Sequence, residues 1–559
     1  MNETQANDLK MVKPTKPNIP LWVVGVALLL LAGHVYLSMR QIKTRSPVGT
    51  EIHHLIRGSE ALLGNGNGLG RNAHPYDYVV GLQLLSAPID HRPTATDDST
   101  PIAEQMDNAA RQWVYTGMFT VSDSPLYAAR YTTLLMSVLL AVIVFAVSRK
   151  LWGEQGGLLS LALYCYSPTI LAHSSLATPD LANAFILMAL GAWTWKTAAR
   201  ATRSDTPAGI WPIMMLLLIG VMQWAMVNKP QPSQLWAGSW YLNGQTFDKH
   251  PSGFYLYSFL IKTPVVILVM LMVAQVTWML RKGERRRDAQ RAWPMICIVL
   301  CTLYIATRVD EPIGLRMLLP IYPALFVLAG SAMRLKLDNA STPNLKRHHA
   351  RLLCLLGVTV LMLQTLLFPQ HFLTFTNQAA REHDAIFPHL AVDNLDWGQD
   401  HQTAAIDADF LASFGPLAEA DPNTSAKSLF QWSDIALTGG RYVISSNYLS
   451  GATPAILPRD WTVQMEQDYQ RLRDYFAAGL LKMPESHSGH HDHGLPELSH
   501  EQWMWLRLRL ARICAHLRVR EPDSVINKTM LVYQLSDEQV RFMLDTPPYP
   551  EKSGEGLDL

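Results

Sequence analysis

The chain has 559 residues and a formal net charge of +1 at pH 7. That balance gives no hint of nucleic-acid binding, and no nucleic-acid partner is expected. Length alone would allow about three or four soluble domains. However, apolar runs of roughly 18 or more residues, each able to span a hydrocarbon core of about 30 Å, exclude a wholly soluble protein.

Residues 1–19 are polar, with Lys10, Lys13 and Lys16, and read as a cytoplasmic tail. The first apolar run, 20–39, lacks a small-residue cleavage site and is expected to stay as an anchor. A long polar loop, 41–125, follows. Further spans are expected at 127–147, 156–172, 181–197, 208–227, 254–280, 293–307, 313–333 and 351–369, about nine in all. Residues 20–369 thus read as one transmembrane domain, and 370–559 as a mixed α/β domain. Within the latter, WSDIALTGGRYVISSNYL carries a β-rich run after Gly-Gly, and NKTMLVYQLS reads as a final strand. RDWTVQMEQDYQRLRDYFAAGLL and HEQWMWLRLRLARICAHLRV read as helices, the second with Arg on its polar side. HSGHHDHG, 487–494, reads as a flexible loop with some affinity for Zn²⁺. Of the five cysteines, only Cys514 falls outside the spans, so no disulfide framework is implied.

Orientation follows from Lys and Arg in the short loops. Segments 1–19, 148–155, 196–207, 281–292 and 334–350 are basic. The alternate connections, 173–180, 228–253 and 308–312, carry only Lys229, Lys249 and Arg308. The N-terminus is therefore expected in the cytoplasm, with loop 41–125 and the C-terminal domain outside. In a bacterium this describes a multi-pass inner-membrane protein with a periplasmic C-terminal domain.

Ionisable groups collect on that outer side. The stretch LALYCYSPTILAHSSLATPDLANA brings His173 and Asp180 to a junction of two spans. The first loop supplies Glu51, His54, His74, Asp77 and Asp107. Lys262 is expected about 12 Å below the outer end of its span at a rise of about 1.5 Å per residue. Arg308 and Arg316 flank the next outer junction. Charge inside a span is costly and points to function, although Lys262 could also snorkel to the surface. His173 reads equally as a helix-end hydrogen-bonding group, and Asp180 as an N-cap. Carboxylates and cations at one rim suit transfer of a group from a lipid phosphate. Cations stabilise the leaving phosphate, and a carboxylate or imidazole takes the acceptor's proton.

Several stretches occur in an order similar to the GT-C superfamily of polytopic membrane glycosyltransferases. The branch they resemble contains protein O-mannosyltransferases and the lipid A aminoarabinose transferase. GTEIHHLIRGSEALLGNG resembles its first-loop motif, an Asp-Glu pair followed by a His. AHPYDYVVGLQLLSAP resembles its His-Pro-Pro-Leu stretch, and SPTILAHSSLATPDLANAF its helix junction. WYLNGQTFDKHPSGFYLYSFLIKTPVVIL and RMLLPIYPALFVLAG resemble later spans, and FLTFTNQAA and VDNLDWGQD the approach to its outer domain.

The resemblance implies a polyprenyl-phosphate sugar donor, an acceptor on the outer face, and an inverting displacement with the first-loop Asp as base. The chain departs there, because Thr50 stands at the Asp position and only Glu51 remains. Asp77 replaces the second half of the His-Pro-Pro-Leu stretch, and the usual Leu-Thr-Lys stretch is missing. On the enzyme reading, Glu51, Asp180 and Asp77 are the catalytic candidates. His54, His74 and His173 would shape the acceptor pocket or hold a divalent metal (Mg, Mn or Zn). Lys262, Arg308 and Arg316 would bind the donor phosphate. The alternative is an inactive scaffold subunit that binds membrane lipid, or a protein partner through its C-terminal domain.

Overall fold

The computed structural model describes residues 19–63, 73–85, 125–201, 220, 240–281, 285–309, 313–334, 343–367, 372–380, 389–391, 394–413, 427–428, 437–452, 457, 459–482 and 499–548. The expected span 208–227 and the His-rich tract lie almost wholly or wholly outside these residues. Asp107 does too.

The chain is a helical membrane protein with a mixed sheet domain at its C-terminal end. Leu21–Thr44 (α1) and Pro125–Trp152 (α4) are long and apolar enough to cross a membrane. Two broken pairs raise that number to four if each forms one span. Length and apolarity of the described helices therefore do not give nine spans. The remaining apolar segments, Arg291–Ala306 in Arg285–Ala306 (α10), Ile321–Arg334 beginning with Ile321–Ala329 (α11), and Arg351–Leu367 in Pro343–Leu367 (α12), are shorter.

Proline sets both breaks. The expected span 156–172 stops at Cys165 in the helix Glu154–Cys165 (α5). A seven-residue helix, Pro168–Ser174 (α6), restarts with proline in its first turn. It meets Pro179–Ala201 (α7) at a bend of 112°. The expected span 254–280 is likewise two helices, Phe254–Lys262 (α8) and Val265–Leu280 (α9), bent by 110° at Thr263-Pro264. Lys262 thus ends a helix at an elbow and is not partway down a straight span.

The polar loop 41–125 is also structured in part. Gly49–Leu63 (α2) and Pro75–Leu85 (α3) pack against each other. A Cβ on Gly58 would lie 1.8 Å from the Asp77 carbonyl oxygen, so only glycine allows this crossing.

Lipid tails are as apolar as leucine, so packing and interhelical hydrogen bonds hold the bundle together. Gly156 lies against Gly330, where a Cβ would come within 2.8 Å of the carbonyl oxygen. Ser160 donates to the Phe326 carbonyl at 2.6 Å, and the Trp152 indole to the Val327 carbonyl at 2.6 Å. Nearer the other end, His34 bonds the Cys165 carbonyl at 3.1 Å and Ser137 at 2.9 Å. This imidazole satisfies polar backbone freed where α5 ends, which is structural work.

Before α8, Trp240–Leu242 (β1) and Gln245–Phe247 (β2) form a hairpin. Its turn residues, Asn243 and Gly244, both have positive φ, 49° and 77°. Asn-Gly is the strongest short hairpin signal.

The C-terminal sheet contains Phe410–Ala412 (β3), Lys427–Ser428 (β4), Gly440–Ser445 (β5), Ser524–Ile526 (β6) and Met530–Leu535 (β7), and a short helix, Ser446–Ser450 (α14), follows β5. The spatial order is β4-β3-β5-β7-β6, parallel across β4-β3-β5 and antiparallel beyond. Alternate residues serve opposite faces. Tyr442, Ile444, Leu531 and Tyr533 pack with Val463–Ala477 (α15), His500–Leu517 (α16) and Asp537–Asp545 (α17). Val443, Met530 and Val532 pack with Ala404 and Ala405 of His401–Ala405 (α13). The expected strands and helices of this domain are present. One arginine of α16 departs from the polar side: Arg512 is fully buried, pairs with Glu466, and lies 4.4 Å from the Tyr469 ring.

Candidate functional site

Three clusters of buried polar side chains assemble in the membrane part of the chain, two of them linked to the C-terminal domain. The first is built on Glu51, in the opening turn of α2. Arg130 Nε donates to Oε1 at 2.8 Å, and Nη2 donates to Oε2 at 2.7 Å. The Ala177 amide donates to Oε1 at 2.7 Å, and the Val48 amide to Oε2 at 3.1 Å. A carboxylate offers about four lone-pair sites, and these four donors occupy them. Arg130 also donates to the carbonyls of Ile42, Arg45 and Ser46. One buried ion pair therefore ties together the end of α1, α2, α4 and the turn between α6 and α7. Sequence reasoning passed over Arg130, although an arginine inside an apolar run is itself a signal.

The second cluster joins α2 to α3. His54 Nδ1 lies 2.8 Å from Asp77 Oδ1, and the His74 amide donates to Asp77 Oδ2 at 2.7 Å. His74 Nδ1 accepts from the Tyr76 amide at 3.0 Å. Burial raises the Asp77 carboxyl, but His54 and the His74 amide hold it below its ordinary value. His54, His74 and Asp77 are all buried.

The third cluster lies at the rim. His173 Nδ1 is 3.9 Å from Asp180 Oδ2. Neither atom has a hydrogen-bond partner among the described residues. Asp180 falls in the first turn of a helix that starts at Pro179, so it is not the N-cap. The His173 ring meets Trp397 edge-on at 5.9 Å, and the Arg316 guanidinium covers the same indole at 5.1 Å. Lys262 donates to the carbonyls of Leu373 and Asn394. Three donors belong to a lysine ammonium, so one remains without an acceptor among the described residues. The charges whose fields reach His173 are Asp180, Arg316, Lys262 and Arg45. Arg45 is a residue the sequence reading missed. It is buried, and its Nη1 has no hydrogen-bond partner among the described residues. Burial lowers its guanidinium to about 10, opposed by Asp400 and Glu51. Arg308 stands apart from this group, exposed and stacked on Tyr304 at 5.2 Å.

Trp397 reaches the rim because the DWGQD segment is the seam between the two domains. Gly398 has φ +87°, a conformation that favours glycine. Its amide donates to Asp396 Oδ1 at 2.8 Å, and the Trp397 amide to Gln399 Oε1 at 2.7 Å. The Ser46 amide donates to the Gln399 carbonyl at 3.0 Å, and the Gln402 amide to Ser46 Oγ at 3.1 Å. Asp400 accepts from Asn527 at 2.9 Å and Thr529 at 2.8 Å. Burial pushes Asp396 up to about 7, with Ser445 and the Gly398 amide opposing and Asp400 adding to the rise.

Among the described residues, no group of three or more His, Cys, Asp and Glu side chains is placed to hold a metal. No family model matches the chain, and no curated protein matches it.

Proposed function

We propose that the protein transfers a sugar from a polyprenyl-phosphate donor to an acceptor on the outer face of the membrane. The observation that carries this reading is the meeting of His173, 3.9 Å from Asp180, and Arg316 on the Trp397 indole, with Lys262 and Arg45 near enough for their charges to act on His173. In the reaction, an acceptor hydroxyl oxygen bonds to the sugar's anomeric carbon. The bond from that carbon to the phosphate oxygen breaks, and polyprenyl phosphate leaves. Asp180 takes the hydroxyl proton, since its Oδ2 is the carboxylate oxygen left without a bond at the rim. Lys262, Arg316 and Arg45 stabilise charge on the departing phosphate. His173 and Trp397 wall the sugar site. Glu51 holds the frame through Arg130, a positioning role in place of the base role suggested by its motif.

The finer topology belongs to the same proposal. Nine spans in a GT-C-like arrangement, an N-terminus in the cytoplasm and a periplasmic C-terminal domain would set the rim cluster on the bacterial outer leaflet. The alternating Lys and Arg in the loops support this orientation.

A scaffold subunit without activity is the second reading. It is favoured by the four donors on Glu51 together with Thr50 at the family's Asp position. One experiment separates the two: sugar release from a polyprenyl-phosphate-linked pool by the purified full-length protein, beside Asp180→Asn. Turnover in the parent that the variant lacks supports transfer. A folded, monodisperse parent inactive with every donor supports the scaffold.

A further inference from the structure

The helix α8 has two unlike faces. Phe254, Tyr255, Ser258, Ile261 and Lys262 are buried. Leu256 and Leu260, one turn apart on the other face, are 64% and 44% exposed. The next helix, α9, exposes Val265, Val269, Met272, Val276 and Met279. Steps of four, three, four and three residues draw one apolar stripe along a helix. In a membrane protein that stripe faces lipid. If α9 stands along the membrane normal, its 110° bend from α8 leaves α8 about 20° from the membrane plane. A further span tilt of about 20° still keeps it closer to the plane than to the normal.

The cause of the bend is local. Thr263 is extended, at φ −100° and ψ 129°, as the residue before a proline tends to be. The carbonyls freed at the elbow are satisfied by the segment that leads into the C-terminal domain. Asn377 Nδ2 donates to the carbonyls of Leu260 at 2.6 Å and Thr263 at 2.9 Å, and its amide donates to the Ile261 carbonyl at 2.8 Å. Tyr257 bonds His389 at 2.8 Å, and Lys262 holds the carbonyls of Leu373 and Asn394.

We propose that α8 is an in-plane membrane anchor. Leu256 and Leu260 enter the boundary between headgroups and acyl chains, in the leaflet on the side of the C-terminal domain. The helix thereby fixes the height of Lys262 and the DWGQD segment above the hydrocarbon. The occupant is lipid for two reasons. The leucine pair is continuous with the lipid-facing stripe of α9. It is also far smaller than a protein interface, which takes roughly 800 Å² from each partner. The other sharply bent helix, α6, makes the contrast: all seven of its residues are buried in protein. The inference stands whether or not the protein transfers sugar.

The test is nitroxide depth measurement on the full-length protein in phosphatidylcholine–phosphatidylglycerol nanodiscs. Leu256→Cys and Leu260→Cys are labelled singly, with the labelled parent as baseline for the native cysteines. Met272→Cys in α9 marks depth, and Val463→Cys, exposed in the C-terminal domain, marks water. The expected result at 256 and 260 is collision with oxygen, weak collision with a water-soluble nickel chelate, and a depth shallower than at 272. Nickel access equal to that at 463 overturns the anchor. A depth equal to that at 272 also overturns it, as does shielding from both reagents, which would mean a protein partner. Two labelling sites guard against one variant failing to fold.

Discussion

Glu51 and Arg130 form a two-point ion pair, 2.8 and 2.7 Å, with both side chains withdrawn from solvent. Such a pair is costly to break from one side, because the partner is left charged and buried. Glu51→Gln is therefore expected to cost about 3–5 kcal/mol of stability. The check is thermal unfolding together with size-exclusion behaviour. A variant that unfolds like the parent while losing turnover would return Glu51 to a chemical role.

Asp180→Asn removes the proton acceptor while leaving a side chain of the same shape. Loss of a general base lowers rates by about 10²–10⁴-fold. Because Asp180 sits in the first turn of α7, its charge also favours that helix end by about 0.3–1 kcal/mol. The expected outcome is a large loss of sugar release with little change in unfolding temperature. Comparable losses of turnover and fold would count against the assignment.

Asp396 titrates near 7 because burial disfavours its charged form. The folded carboxyl binds its proton more tightly than the unfolded one. Its contribution is thus complete below the unfolded value of about 3.9 and is lost as pH rises through about 7. Asp400, also raised by burial, acts in the same direction. Unfolding temperature is expected to fall between about pH 4 and pH 7, and Asp396→Asn should flatten that slope. A parent whose stability climbs steadily across the window would contradict this.

Gly398→Ala places a Cβ on a residue at φ +87°. A left-handed non-glycine residue costs about 1–2 kcal/mol. The strain falls on the seam that carries Trp397, so both unfolding temperature and turnover should decline. Protease sensitivity between the two domains should increase at the same time.

Much of the C-terminal domain was legible residue by residue. The Gly-Gly before β5 and the nearly continuous apolar run of β7 marked strands. Ser499 with Gln502, and Ser536 with Gln539, form capping boxes that announce helix starts. The Asn-Gly turn of the β1–β2 hairpin was equally plain and went unread. Breaks in the membrane helices were signalled by Pro168, Pro179 and Pro264, but not the size of the bends at the last two. A proline removes one hydrogen bond and restricts its neighbour; the bend angle then depends on what satisfies the freed carbonyls, here Asn377 for α8.

The sequence by itself determined that the chain enters a membrane, because apolar runs of that length have no other favourable solvent. It also determined which residue types crowd one rim. Only the tertiary structure decided how those residues pair. It gave Glu51 to Arg130, a partner 79 positions along the chain. It gave Asp77 to His54, placed Asp180 beside His173, and set His173 against Trp397 from the far domain. Pairing depends on distance and burial in three dimensions, where a carboxylate held by four donors and one with an oxygen unbonded among the described residues differ in chemistry although their side chains are alike.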